Sequence, residues 1–175
     1  MDHINLERYL NSFGKQVVEQ SKANLTQDKG NTALGGSIRY EITKEFTVQF
    51  FMDSYGKFLD KGVSGTEQQR SFTNQDGQNE KSPFRYTTKQ PPTGIIDRWV
   101  VRKGLKGSRD KEGRFIKRKS MVFLIARSIK RKGIKGLSFF QKPMGFAMKD
   151  FDVLFGQALK QDIEEAWSKV EEKLN

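Results

Sequence analysis

The chain has no cysteine and a single histidine, His3, and both shortages narrow the chemistry available to it. Without cysteine there is neither a disulfide framework nor a thiolate metal site. One histidine at the extreme N-terminus, where we expect disorder, argues against histidine-dependent general base catalysis and the usual zinc sites. No apolar run of about 18 residues occurs, and the polar opening does not resemble a signal peptide. We therefore expect a soluble protein made in the cytoplasm.

Recognisable catalytic motifs are also missing. Residues 104–108, Gly-Leu-Lys-Gly-Ser, have neither the spacing nor the Lys-Ser/Thr ending of a phosphate-binding loop. The nearest approach to a carboxylate metal site is Asp53, Asp60 and Glu67, whose spacing is that of ordinary surface acids. We predict no catalytic residues, no cofactor and no metal, and hence a protein that is not an enzyme. A magnesium-dependent nuclease using Asp53 or Asp60 is kept as a minor hypothesis.

Positive charge is plentiful, but it is confined to one segment. Residues 98–135 hold fifteen Lys or Arg and two acids, a net charge of +13, whereas the whole chain carries +11 and the remainder therefore −2. Such a localised field implies an acidic partner, either nucleic acid or protein. Residues 150–175 hold seven acids and three lysines, a net charge of −4. Copies of the chain could therefore meet head to tail, basic surface against acidic surface, and close into a ring.

The hydrophobic periodicity predicts an α+β fold in a single domain over residues 1–175. A small antiparallel sheet, made of a hairpin at about 37–52 and one or two short strands, is packed by helices. The predicted elements are an N-terminal helix at 5–25, the hairpin, a strand or helical turn at 55–59, a short strand at 83–86, a basic helical pair at 94–132 capped by Thr93, an extended aromatic segment at 138–148 and a C-terminal helix at 152–174. The polar segments 62–82 and 106–114 are predicted to be extended loops.

Seven residues of the C-terminal helix follow a helical spacing and are predicted to face the core. They are Leu154, Phe155, Leu159, Ile163, Ala166, Trp167 and Val170.

Three segments carry a resemblance to a known family. The first is Gly35-Gly36-Ser37-Ile38-Arg39-Tyr40 between the N-terminal helix and a second strand. The second, residues 55–63, reads Tyr-Gly-Lys-Phe-Leu-Asp-Lys-Gly-Val and is similar to a Tyr-Ala-x-x-Val-Glu-x-Gly-Thr signature. The third, residues 132–140, is similar to a Pro-x-x-Phe-Leu segment that leads into a final helix, with glycine at 136 in place of the proline. In this order the segments resemble the neck, or tail-completion, proteins of tailed bacteriophages.

The resemblance implies a structural virion protein of the head–tail connector. Such proteins form homo-oligomeric rings stacked on the portal, beside other neck or tail proteins, with DNA passing through the channel and no membrane involved. Basic residues lining that channel would grip the DNA, so we place the basic segment at an interface with an acidic neighbour. The predicted interface residues are Arg114, Lys117, Arg118, Lys119, Trp99, Phe139 and Phe140.

The alternative function is non-specific nucleic-acid binding. Its candidate residues are Arg127, Lys130, Arg131 and Lys132, which could also simply solvate an exposed helix face. Core packing is the competing interpretation of the four large aromatic residues Trp99, Phe139, Phe140 and Trp167.

Overall fold

The computed structural model describes residues 3–29, 32–105, 107, 109 and 111–174, and within them the predicted α+β fold is confirmed. The helices are α1 Ile4–Lys29, α2 Thr32–Ser37, α3 Gly56–Lys61, α4 Thr93–Arg102, α5 Arg118–Lys132, α6 Gln141–Met148 and α7 Phe151–Leu174. The strands are β1 Arg39–Ile42, β2 Val48–Phe51, β3 Val63–Ser64, β4 Ser71–Thr73, β5 Asn79–Lys81 and β6 Gly133–Ile134. They pair two by two, as β1–β2, β3–β6 and β4–β5.

The chain divides into two compact units. Unit 1 comprises Met1–Gly56, Thr73–Gln78 and Ser138–Asn175, and unit 2 comprises Lys57–Phe72 and Asn79–Leu137. The description of residues 1–175 as a single domain stays a prediction beside this division. Within the parts of the chain that the structure describes, none of the helices has the length and apolar character that a membrane crossing needs.

The core of unit 1 is built on α1. The residues spaced four, three and four apart, Leu6, Leu10, Phe13 and Val17, are all buried, as that spacing predicts. The ring of Phe13 meets the ring of Phe151 edge to face, with centroids 4.9 Å apart, so α1 packs against the start of α7.

The predicted hairpin is formed by β1 and β2, with Arg39 opposite Phe51 and Ile42 opposite Val48. Its turn lacks the usual glycine or asparagine, and Phe46 instead takes the left-handed conformation, with φ at 55°. The backbone N–H of Thr43 donates to the carbonyl of Thr47 at 3.0 Å and closes the turn.

Unit 2 contains the basic helical pair. Ile96 and Val100 of α4 are buried against Val122 and Ala126 of α5, and the partly buried residues Met121, Ile125 and Ile129 pack around them. Helix α5 ends at Lys132, and Gly133 caps it with a φ of 73° that suits glycine, as the sequence predicts. The predicted cap at Thr93 is wrong: Thr93 is the first residue of α4, and Pro92 precedes it without a capping side chain.

Three segments differ from their predicted conformation. The aromatic segment 138–148, which contains Pro143, is predicted to be extended, yet 141–148 form α6. Proline is tolerated there because the first turn of a helix has no intrahelical partner for its N–H groups. The polar segment 62–82 is not a loop throughout but contains β3, β4 and β5. The short strand predicted at 83–86 is wrong, since only Arg85 pairs there, in an isolated bridge with Ser64. Of the two alternatives predicted for residues 55–59, the helical one is correct, and α3 begins at Gly56.

The strands within 62–82 could not be predicted from hydrophobic periodicity, because backbone contacts hold this segment in place. Ser82 Oγ donates to the carbonyl of Gly62 at 2.8 Å, and the N–H of Ser64 donates to the carbonyl of Phe84 at 2.8 Å. A side chain at Gly65 would collide with the carbonyl of Arg131. Hydrogen bonds and close backbone approach hold this region together, and neither produces alternating hydrophobicity.

Candidate interaction surfaces

Helix α7 carries an unexpected buried acid near its middle, where it meets the start of α1. Asp162 is only 1% exposed, and its carboxylate accepts hydrogen bonds from the backbone N–H groups of Asn5 at 2.8 Å and Leu6 at 3.0 Å. A side chain of α7 therefore supplies the cap for the N-terminus of α1. Burial alone raises the pKa of Asp162, but the hydrogen bonds from Asn5 and Leu6 outweigh it and hold the pKa below its ordinary value.

This cap fixes which face of α7 is buried. Asp162 and Ala158, four residues apart, point into unit 1 and are both buried. Phe155, Leu159 and Ala166, predicted to face the core, lie at its edge and are half-buried.

The other residues predicted to face the core from α7 are exposed, so that prediction is wrong for Leu154, Ile163, Trp167 and Val170. Trp167 is 65% exposed and Ile163 is 49% exposed. Ile163, Trp167 and Val170 are spaced four and three apart and therefore share one face of the helix. Glu164 and Glu171 stand beside them, and Trp167 Nε1 donates to Glu171 Oε1 at 2.7 Å. We call Ile163, Glu164, Trp167, Val170 and Glu171 the acidic stripe.

The outer face of α4 has the opposite sign. Ile96 and Val100 point inward, so Ile95 and Trp99 point outward, at 56% and 38% exposed. Arg98 and Arg102, also four residues apart, are exposed beside them. We call Ile95, Arg98, Trp99 and Arg102 the basic stripe. Trp99 was predicted at an interface, and its exposure leaves it accessible to a partner.

Two of the predicted basic residues are engaged within unit 2. The guanidinium of Arg118 donates twice to the carboxylate of Asp97, at 2.7 and 2.6 Å, and this pair joins α5 to α4. The hydrogen bond with Arg118 lowers the pKa of Asp97. Arg131 Nε donates to Glu67 Oε1 at 2.6 Å, and this hydrogen bond lowers the pKa of Glu67.

Other basic side chains of the predicted sets remain directed to solvent. Lys117, Lys119, Arg127 and Lys132 are exposed, and no ion pair with any described residue involves them. Lys130 differs from these four, because it is half-buried and its Nζ donates to the carbonyl of Thr88 at 2.7 Å.

The predicted loop 106–114 can be followed only in part. Lys106, Ser108 and Asp110 lie outside the described residues. Arg109 pairs with Phe115 in an isolated bridge, and its guanidinium lies 4.2 Å from the centre of the Phe115 ring. Arg109 Nη1 also donates to the carbonyl of Gly113 at 2.7 Å. Arg114 is exposed and 3.2 Å from Glu112.

The remaining predicted interface aromatics belong to unit 1. Phe139 is 0% exposed, so its assignment to an interface is wrong, and core packing is the correct interpretation. Phe140 is half-buried, with its ring 5.5 Å from that of Phe50 in an edge-to-face contact. The sequence does not distinguish Phe139 from Trp99, because both are large apolar residues. Only their packing in the fold shows that Phe139 is buried and Trp99 is exposed.

The residues considered for catalysis do not converge. Asp53 is exposed in unit 1, Asp60 is buried in unit 2, and Glu67 is held by Arg131. Among the described residues no group of three or more His, Asp or Glu side chains could hold a metal ion. His3 is not disordered: it is half-buried, with its ring 5.0 Å from that of Phe46.

Comparison with known proteins found no matching family model, no matching curated protein and no matching solved structure. The resemblance to phage neck proteins therefore stays a prediction from the three sequence segments.

Proposed function

We propose that the protein is a structural component of a phage head–tail connector, in the neck or upper tail of the virion, where copies of the chain form a ring around the DNA channel. The ring would join the portal-bearing head to the tail. This proposal rests on the resemblance of residues 35–40, 55–63 and 132–140 to neck proteins, and on the surface properties of the helices.

The observation that carries the proposal is the exposure of large apolar side chains. Both tryptophans of the chain, Trp99 and Trp167, are exposed, and so are Phe115 and Phe123 around α5. On α7 the exposed Trp167 shares one face with Ile163 and Val170, and a contiguous apolar patch of this kind marks an interaction site, because burying it against a partner is favourable. The presence of exposed apolar side chains on α4, α5 and α7 is what a ring subunit with several neighbours would need.

The charge distribution favours protein partners for the basic segment. Arg118 and Arg131 already bind acids of unit 2, so a share of the positive charge serves the fold. The exposed remainder would meet an acidic neighbouring protein in the connector, whereas the same charges facing the channel would retain DNA during ejection.

Charge reversal at the exposed residues tests this placement. We expect the triple variant Arg114→Glu, Lys117→Glu, Lys119→Glu to fold normally but to lose stacking on its connector neighbour. Arg118 is left unchanged because its pair with Asp97 joins the two helices. A matched control reverses Lys15, Lys57 and Lys89, which are exposed and lie outside the basic segment. Stacking by the triple variant at the wild-type level would contradict the placement.

The direct test of the function is whether the protein is part of the virion connector. Particles assembled without it should accumulate as separate heads and tails, and adding the purified protein should restore joining. Electron microscopy of the joined particles should show it as a ring between portal and tail. Normal joining in its absence would refute the proposal.

One observation keeps non-specific nucleic-acid binding as a second candidate. Lys119 and Arg127 are exposed on α5 near the open ring of Phe123, and bases can stack on an aromatic ring beside cations. This function predicts retardation of duplex DNA by the protein at about 0.1 M salt, with a steep loss as salt rises. Lys119→Glu with Arg127→Glu should abolish the retardation, and absence of any retardation by the wild type would eliminate this candidate.

A further inference from the structure

The acidic stripe and the basic stripe are alike in their apolar residues and opposite in the sign of their charge. At 1.5 Å of rise per residue, the apolar residues of the acidic stripe extend along about 10 Å of α7, and those of the basic stripe along about 6 Å of α4. Each stripe carries one exposed tryptophan and at least one exposed aliphatic side chain. Glutamates flank the apolar residues in one stripe and arginines in the other. Glu164 also lies 3.6 Å from Lys160, but this pair is exposed, and such pairs are weak enough to give way to a partner.

We propose that the acidic stripe of one copy docks on the basic stripe of the next copy. This inference rests on the proposed ring and names the contact that would build it. Ile163, Trp167 and Val170 would pack against Ile95 and Trp99, while Glu164 and Glu171 face Arg98 and Arg102. Tryptophan and arginine are the residues that most often dominate the binding energy of protein interfaces.

Charge complementarity favours the basic stripe, rather than a second acidic stripe, as the partner of the acidic stripe. Helix α7 carries six acids and three lysines, a net charge of −3, so two such helices packed together would repel each other. The basic stripe lies at the start of the segment with a net charge of +13, which attracts α7.

Because the two surfaces are different, the contact is head to tail. Each subunit then uses one surface toward each neighbour, and repetition of the contact closes a ring when the rotation allows it.

The experiment blocks one stripe at a time. The first variant carries Ile163→Arg and Trp167→Arg, which places positive charge opposite the basic stripe. The second carries Ile95→Glu and Arg98→Glu, which places negative charge opposite the acidic stripe. All four side chains are exposed, so both variants should keep the wild-type unfolding temperature. Sedimentation velocity then gives the mass of each variant and of their equimolar mixture.

We expect each variant alone to remain at the monomer mass of 20.2 kDa under conditions in which the wild type forms rings. The first variant retains an intact basic stripe and the second an intact acidic stripe. Their mixture should therefore form a heterodimer of twice the monomer mass that cannot grow further. Each blocked contact should weaken association by roughly 100-fold or more.

Matched controls change the same charge on other faces. Gln161→Arg with Ser168→Arg adds two positive charges to the side of α7 away from Ile163. Val101→Glu with Lys89→Glu replaces one apolar and one basic exposed residue of unit 2 outside the basic stripe. Both control variants should form rings as the wild type does.

Three results would overturn the inference. Rings from both variants would show that other surfaces assemble the chain. A dimer formed by the second variant alone would show that α7 pairs with α7. Monomers in the mixture would show that the stripes do not bind each other. None of these results tests the connector function. That function would be refuted separately if wild-type rings assembled through the two stripes did not join heads to tails.

Discussion

The buried carboxylate of Asp162 makes a prediction that can be worked out from the structure. Replacing it by alanine removes the acceptor for the N–H groups of Asn5 and Leu6, of which Leu6 is itself a core residue. Leaving two such donors without a partner should lower the unfolding temperature by about 4–8 °C in a chain of this size. Asp162→Asn should have a smaller effect, since one carbonyl oxygen remains to accept a hydrogen bond.

The pH dependence of this effect follows from the direction of the pKa shift. The pKa of Asp162 in the folded protein lies below its ordinary value of 3.8, so the unfolded chain binds the proton more readily. The stabilisation is therefore complete above about pH 5 and is lost as the pH falls through the pKa of the folded protein. The difference in unfolding temperature between the wild type and Asp162→Asn should shrink as the pH falls below about 4.

Calorimetry or circular dichroism at several pH values measures this difference. Glu165→Gln is the matched control, because Glu165 also lies on α7 and accepts a hydrogen bond from Asn5 Nδ2 at 2.9 Å, but at an exposed site. It should change the unfolding temperature by less than about 2 °C. An Asp162→Ala variant as stable as the wild type at pH 7 would refute the assignment of this carboxylate as the cap of α1.

Two further substitutions test the packing of unit 1. Phe139→Ala should destabilise the protein by about 3–5 kcal/mol, because the side chain is wholly buried. A decrease in the free energy of unfolding below about 1 kcal/mol, measured with denaturant, would show that Phe139 is not a core residue. Gly145→Ala should lower the free energy of unfolding by about 1–3 kcal/mol, because the new methyl group collides with the carbonyl of Gln75. Gly156→Ala is the control: the space around Gly156 is open, so this substitution should be neutral or stabilising. Equal stability of the two alanine variants would contradict the close contact at Gly145.

Some elements of this fold could be predicted from local sequence because their pattern and their packing agree. Helix α1 buries the face that its four-three-four spacing indicates, and α5 buries the side of Val122 and Ala126 for the same reason. Helix α7 could not be predicted in this way. Its apolar residues mark a helix correctly, but they do not indicate whether its own core or a partner covers them.

Asp162, a residue that hydrophobic periodicity assigns to the solvent, lies on the buried face of α7. The reason is tertiary, because the carboxylate satisfies N–H groups at the start of a helix that begins about 160 residues earlier in the chain. The sequence pattern of α7 alone does not indicate that one of its carboxylates must accept hydrogen bonds from α1. The exposure of Trp167, which is central to the proposed interface, could therefore be recognised only from the structure.

The same limit applies to the charged residues. The sequence located the basic segment, since counting charges needs no coordinates. It could not separate Arg118, which serves the fold through Asp97, from Lys119, which is one residue away and exposed. Their roles differ because the two side chains leave α5 in different directions.

Assembly of the purified wild-type chain is the most direct test of the central claim that these exposed helix faces are made for neighbouring copies. Native mass spectrometry over a range of concentrations and salts should find one closed oligomer whose mass is a multiple of 20.2 kDa. A chain that stays at 20.2 kDa under all these conditions, and also in the presence of portal-bearing heads, would contradict it.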